Sequence, residues 1–138
     1  MKQDFHTITI RTEGARLYDF TQGAQAFVAK SGITDGLLTC FIRHTSASLL
    51  IQENADPNVQ KDLIAAFSRL APEDFPYKHD EEGPDDMPSH IKSALTAVSL
   101  SVPVRGGELV LGTWQGLYLF EHRHAAHRRE VLLHVIGD

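Results

Sequence analysis

Five short polar segments carry the residue types that do chemistry. Arg43-His44-Thr45-Ser46-Ala47-Ser48 places an imidazole and three hydroxyls where an apolar run ends. Hydroxyls and turn amides at a strand end can bind an oxyanion, and His44 can ligate a metal or move a proton; the alternative is a Ser/Thr-rich turn satisfying its own backbone. Gln52-Glu53-Asn54-Ala55-Asp56-Pro57 sets two carboxylates and an amide ahead of a helix start, a place where anions and Mg²⁺-bound phosphates are held. Asp56 also reads as a plain N-cap. Asp85-Asp86-Met87-Pro88-Ser89-His90 brings acidic residues to another helix start, with His90 as a ligand, a base or an ordinary surface imidazole. Leu111-Gly112-Thr113-Trp114-Gln115-Gly116 holds the only Trp, between two glycines that let a ligand approach the backbone. A bulge with a packed Trp is the alternative. The run from His122 to Arg129 reads as a solvated charge cluster, although Glu121, His122 and Arg123 lie close enough to a strand end to reach a site.

The elements that must position these segments follow from periodicity. Phe5–Thr12 alternates apolar and polar residues with β-branched types, the pattern of a strand with one buried face. Ala24, Phe27 and Val28 fall at helical spacing between Thr21 as N-cap and Ser31-Gly32 as terminator. Gly36–Arg43 is almost continuously apolar and predicts a central strand covered on both faces. Ser48–Glu53 predicts another strand. Asp56-Pro57 then opens a helix with Val59, Leu63, Ala66, Phe67 and Leu70 as its apolar stripe. Residues 72–88 carry four prolines and predict a long surface connection, followed by a short helix over Pro88–Leu95. Val98–Val104, Glu108–Leu111, Gly116–His122 and Arg129–Ile136 predict strands, with a hairpin turn at Arg105-Gly106-Gly107 and a loop over His122–His127. About seven strands and three helices, not strictly alternating, predict an α+β domain built as a mostly antiparallel sandwich.

At 138 residues the chain suits one domain with one core. Its 13 Lys+Arg against 18 Asp+Glu offer no basic field, so nucleic acid is not expected as a partner. A single cysteine, Cys40, permits no intrachain disulfide and fits a reducing compartment. No apolar stretch is long enough for a membrane helix and the first residues lack a signal-peptide core, so the expected location is cytoplasmic, away from any membrane. No P-loop, dinucleotide fingerprint, His-Glu-x-x-His or nucleophile elbow occurs.

Two of the polar segments, the run from Arg43 through Glu53-Asn54-Ala55-Asp56-Pro57 and Leu111–Gly116, resemble motifs of the YjbQ-like family of small bacterial and archaeal proteins. The likeness spans nearly the whole chain. It implies a single YjbQ-like α+β domain over 1–138, assembled as a homotrimer with a polar pocket near subunit contacts. It also implies a transferase, secondary thiamine-phosphate synthase, whose activity in the family is weak: a thiazole phosphate is joined to hydroxymethylpyrimidine diphosphate with release of diphosphate. On that resemblance His44, Glu53 and His90 take the catalytic positions. Thr45, Ser46, Ser48, Asn54, Gly112, Thr113, Trp114 and Gln115 take the substrate. His44, Glu53, Asp56 and His90 hold a divalent cation, Mg or Zn. The expected partner is a small phosphorylated metabolite. Many members look to have a His-x-His pair before the third helix, whereas this chain has Pro88-Ser89-His90 and so one of the two imidazoles. Two other classes stay open: a metal-dependent hydrolase of an unrelated phosphate ester, and a non-enzymatic metabolite-binding trimer.

Overall fold

The computed structural model describes residues 1–138 and contains eight strands and three helices. In chain order these are β1 (Lys2–Thr12), β2 (Leu17–Asp19), α1 (Thr21–Ser31), β3 (Gly36–Ile42), β4 (Ala47–Glu53), α2 (Pro57–Leu70), α3 (Asp86–Leu95), β5 (Ser99–Arg105), β6 (Glu108–Leu109), β7 (Gln115–Glu121) and β8 (His127–Gly137). One sheet has the order β1-β8-β3-β5-β6 and the other β2-β7-β4, and every pairing is antiparallel. The α+β sandwich expected from the pattern is the architecture observed.

The core lies between the sheets. Leu38, Cys40 and Ile42 of β3, Val102 and Val104 of β5, and Val131, Leu133 and Val135 of β8 meet Ala47 and Leu49 of β4 and Leu117 and Leu119 of β7. Ala24, Phe27 and Val28 of α1 complete it. Full burial of each such Leu, Ile or Val stabilises by roughly 1.5–3 kcal/mol. Burial pushes the Cys40 thiol up to about 12, so it sits in the core as an inert apolar group.

Several local expectations hold for stated reasons. Asp56 caps α2 by accepting from the Asn58 amide, with Pro57 in the first turn. Gly32, at φ 74°, ends α1 in the left-handed region. Gly106 and Gly107, both at positive φ, make the two-residue hairpin between β5 and β6.

Other details differ. The strand covered on both faces is β7, not β3: Tyr118 and Phe120 point away from the core onto Leu50, Ile64 and Phe67, under α2. β3 leaves Leu37 and Phe41 partly open on the outer face of the five-stranded sheet, together with Phe5. The residue preceding α1 is Phe20 rather than Thr21; the Thr21 hydroxyl donates to Asp19 and accepts from the Leu117 amide instead. Leu70 is exposed and Ile64 takes its place in the α2 stripe. β2 is an extra strand too short to show a period. α3 starts at Asp86, two residues before the expected Pro88, because proline is tolerated in a first turn whose amides lack helical partners anyway. No helix is long and apolar enough to cross a membrane.

Candidate functional site

The earlier start of α3 decides the site. Asp86 and His90 fall four residues apart on one helix face, and His90 Nε2 lies 3.2 Å from Asp86 Oδ2. The connection between α2 and α3 folds back and brings His79 Nε2 to 2.6 Å from the same oxygen. One potential ligand atom from each of His79, Asp86 and His90 lies within 4.8 Å of the others. His90 Nδ1 is 2.9 Å from the Thr45 carbonyl, which can only accept, so that nitrogen carries the proton. His90 Nε2 then faces a carboxylate oxygen, and the contact is attractive only with a second proton or a cation between them.

Arg123, just beyond β7, fixes this arrangement from behind. Its Nη1 donates to Asp86 Oδ1 at 2.7 Å, its Nε to Asp85 Oδ2 at 3.1 Å and its Nη2 to the Glu82 carbonyl at 3.0 Å. Asp86 is 3% exposed. Burial works to raise its carboxyl, but the His79 hydrogen bond and the charges of His90 and Arg123 outweigh burial and hold it below the usual range. The hydrogen bond to Asp86 in turn raises His79. Two imidazoles and a carboxylate suit zinc and its neighbours better than magnesium, which prefers oxygen ligands. Three protein ligands with a further position free is the pattern of a catalytic zinc site. His79 thus stands as a second imidazole beside His90, where Pro88-Ser89-His90 carries one.

A second polar layer lies beneath. Glu121 is fully buried and accepts from Arg129 Nε at 2.8 Å, Arg129 Nη2 at 2.6 Å, Thr12 Oγ1 at 2.6 Å and the amides of His122 and Arg123. Burial opposes its ionisation, but the Arg129 and Thr12 hydrogen bonds prevail and lower its pKa. Arg129 Nη2 also donates to Ser46 Oγ at 2.9 Å. Ser48 Oγ, fully buried, meets His122 Nε2 at 2.9 Å and Thr96 Oγ1 at 2.6 Å. Burial pushes His122 down to about 3, so it is neutral, and its Nδ1 has no partner. His44 Nε2 accepts from the Glu130 amide at 3.1 Å, which leaves the proton on Nδ1. Burial and then Arg129 lower the His44 pKa.

The sequence-predicted residues therefore divide. His44, Thr45, Ser46, Ser48 and His90 gather at the Ala47 end of β4, though Thr45 contributes a carbonyl and Ser46 and Ser48 spend their hydroxyls on buried partners. Glu53, Asn54, Asp56, Gly112, Thr113, Trp114 and Gln115 gather at the other end. Six residue steps of about 3.3 Å separate those ends by about 20 Å, so within one chain Glu53 and Asp56 stand apart from the His79–Asp86–His90 cluster. There Glu53 Oε2 accepts from the Asp56 amide, and Asn54 Nδ2 donates to the Thr113 carbonyl at 3.3 Å. Gln115 Oε1 accepts from the Gly112 amide at 2.8 Å, while Trp114 is 64% exposed.

Residues 6–138 match the family model described as "UPF0047 protein YjbQ-like". The chain belongs to the UPF0047 YjbQ-like family. The UPF0047 protein sll1880 of a Synechocystis strain is 52% identical over 138 residues, 99% of this chain and 94% of that one. UPF0047 protein YjbQ of Escherichia coli O157:H7 is 52% identical over 103 residues, 75% of each chain. Among solved structures, an uncharacterised YjbQ/UPF0047 protein of Clostridium acetobutylicum superposes with a TM-score of 0.88 at 32% identity, covering 95% of this chain and 99% of that one. The YjbQ-like fold is thus established from sequence and structure alike.

Residue patterns missed His79, which sits in a loop without periodicity, and passed over Arg129 as part of a charge run. Asp86 had a usable signal: its i,i+4 relation to His90 emerges once the helix is allowed to begin before Pro88.

Proposed function

We propose that this UPF0047 protein is a divalent-metal-dependent transferase acting on a small phosphorylated metabolite, of the secondary thiamine-phosphate synthase type, with His79, Asp86 and His90 holding the ion. One observation carries the reading: two imidazoles aim Nε2 at a single buried carboxylate oxygen, and the Thr45 carbonyl commits the other nitrogen of His90. Outer partners of this kind orient metal-ligating histidines and their carboxylates. Zinc is the first choice on donor chemistry. When bound there, the ion supplies Lewis-acid stabilisation of negative charge on a departing oxyanion.

The chain's own groups have separable tasks. Arg123 keeps Asp86 ionised and turned toward the imidazoles. The Glu121–Arg129 pair fixes the 43–46 turn that carries the Thr45 carbonyl. His44, neutral with its proton on Nδ1, is suited to donate a hydrogen bond to an anionic group rather than to act as a ligand through Nε2. The open apolar outer face of the five-stranded sheet, with Phe5, Leu37 and Phe41, supports contact with further copies of the chain, as the homotrimer reading requires, and an unpaired Cys40 supports a cytoplasmic location.

The test is zinc content of the purified protein together with thiamine phosphate formation from the thiazole phosphate and hydroxymethylpyrimidine diphosphate. About one zinc per chain, and turnover that falls in a folded Asp86→Asn protein, is the expected result. Zinc without turnover, but with hydrolysis of other phosphate esters, transfers the site to the hydrolase class. Absence of any bound ion under saturating zinc removes the reading.

A further inference from the structure

The chain from α3 into β5 is tied to the start of β4 at three points. In the middle of the helix His90 Nδ1 donates to the Thr45 carbonyl at 2.9 Å. Just past its end the Leu49 amide donates to the Ala97 carbonyl at 2.7 Å. Between these two the tie runs through side chains. Thr96 Oγ1, at the C-cap of α3, stands 2.8 Å from the Lys92 carbonyl and 2.6 Å from Ser48 Oγ, which in turn is 2.9 Å from His122 Nε2. Ser48 is fully buried, His122 is 1% exposed, and the His122 ring packs on Phe120 with centroids 4.3 Å apart. At that end the tie is closed to water, so its protons must be shared out among its own atoms.

Three contacts and three protons leave one consistent order. A carbonyl only accepts, so Thr96 gives its single hydroxyl proton to Lys92, whose carbonyl is among the last four of α3 and has no helical donor. The 2.6 Å contact is then Ser48 donating to Thr96, and the 2.9 Å contact is His122 donating from Nε2 to Ser48. His122 is neutral, so its Nδ1 keeps a bare lone pair, and that atom is the one left without a partner.

We propose that His122 is a positioning residue for α3: it donates from Nε2 into a one-way relay through Ser48 and Thr96 to the Lys92 carbonyl, and the relay holds the helix, with Asp86 and His90 on it, in place on β4. The direction has a chemical consequence. Ser48 sends its proton away from His122, so the imidazole is not a base for it and the two do not form an activated nucleophile. The inference goes beyond the transferase reading and needs no ion, because every atom in the relay belongs to the chain.

The experiment is a two-bond ¹H–¹⁵N correlation spectrum of the full chain, which tells a protonated ring nitrogen from a bare one and so gives the tautomer of each histidine. The His122 signals are assigned by their loss in His122→Gln. Wild type is compared with Thr96→Val, which keeps the volume of threonine without its hydroxyl, and with Thr96→Ser, which keeps the hydroxyl. Thr96 is partly exposed at a helix end, so both variants are expected to give the dispersed spectrum of a folded chain. The wild type is expected to show His122 protonated at Nε2. In Thr96→Val the Ser48 proton loses its acceptor and turns to His122 Nε2; the ring proton moves to Nδ1, the two nitrogen signals exchange places, and the His90 ring signals shift with them. Thr96→Ser is expected to keep the wild-type tautomer. A wild-type His122 protonated at Nδ1, or on both nitrogens, overturns the proposal, as does a tautomer indifferent to Thr96→Val. A tautomer that changes while His90 stays unmoved leaves α3 to its other two ties and removes the positioning role. A protein without zinc or product that gives the expected spectra loses the transferase reading and keeps the relay.

Discussion

The two ends of β4 both carry hydroxyls and carboxylates, with imidazoles at the Ala47 end alone, and they spend their polar groups differently. At the Glu53 end the polar atoms serve the backbone close by. Asp56 caps α2, Glu53 closes the turn before it, and Gln115 folds back on Gly112 three residues away. At the Ala47 end side chains from distant segments meet one another: Arg123 with Asp85 and Asp86, Arg129 with Glu121, His79 with Asp86. Polar groups that satisfy local backbone build turns. Groups that satisfy each other across the fold hold a geometry that a ligand can use.

The comparison can be broken most forcefully at Glu121. Glu121→Ala strands the buried Arg129 guanidinium, and removal of one partner from a buried pair costs about 3–5 kcal/mol; chemical unfolding is expected to show a loss in that range, with no such loss for Glu53→Ala. Next is acidity. His122 has a folded pKa below its unfolded value, so between pH 6.5 and about 3 the unfolded chain binds a proton that the folded chain refuses, and stability must fall as pH falls. Glu121, whose folded pKa is also depressed, adds to the fall below its ordinary value of 4.5. His122→Gln is expected to flatten the upper part of that curve in unfolding titrations across this window.

The third effect concerns zinc. Arg123→Leu frees Asp86 to rotate, and loss of an outer-shell partner lowers metal affinity about 10–100-fold; competition with a chromophoric chelator reads this directly, and Glu53→Gln is expected to leave the affinity unchanged. The smallest is Asp56→Ala, which removes a cap worth about 1 kcal/mol. Thermal unfolding should shift by a few degrees while zinc affinity stays that of wild type. An Asp56 variant that lost zinc would erase the distinction between the two ends.

Much of the fold was legible because its signals are local. The alternation in β1, the Asp56-Pro57 start, Gly32 and the Gly106-Gly107 turn each act over a few residues, and each appears where expected. β2 was not legible, since Leu17–Asp19 is a strand only through its pairing with Tyr118–Phe120. The site was legible by halves. His44, Thr45, Ser46, Ser48 and His90 do converge, but the partners that orient them are topological. Glu121 and Arg129 are eight residues apart in sequence and belong to different sheets, so their ion pair depends on how the sandwich closes. His79 depends on the path of a connection that no period describes.

β7, covered on both faces, has a dynamic consequence. Its Leu117–Phe120 amides are expected to exchange with deuterium only through global unfolding, whereas the exposed 72–84 stretch opens far more often. Arg123 bolts the one to the other through Asp85, Asp86 and the Glu82 carbonyl. An ion held, as proposed, by His79 from this exposed segment and by Asp86 and His90 from the helix would have an exit that leaves the sandwich folded, and its residence time would be set by the loop rather than by the core.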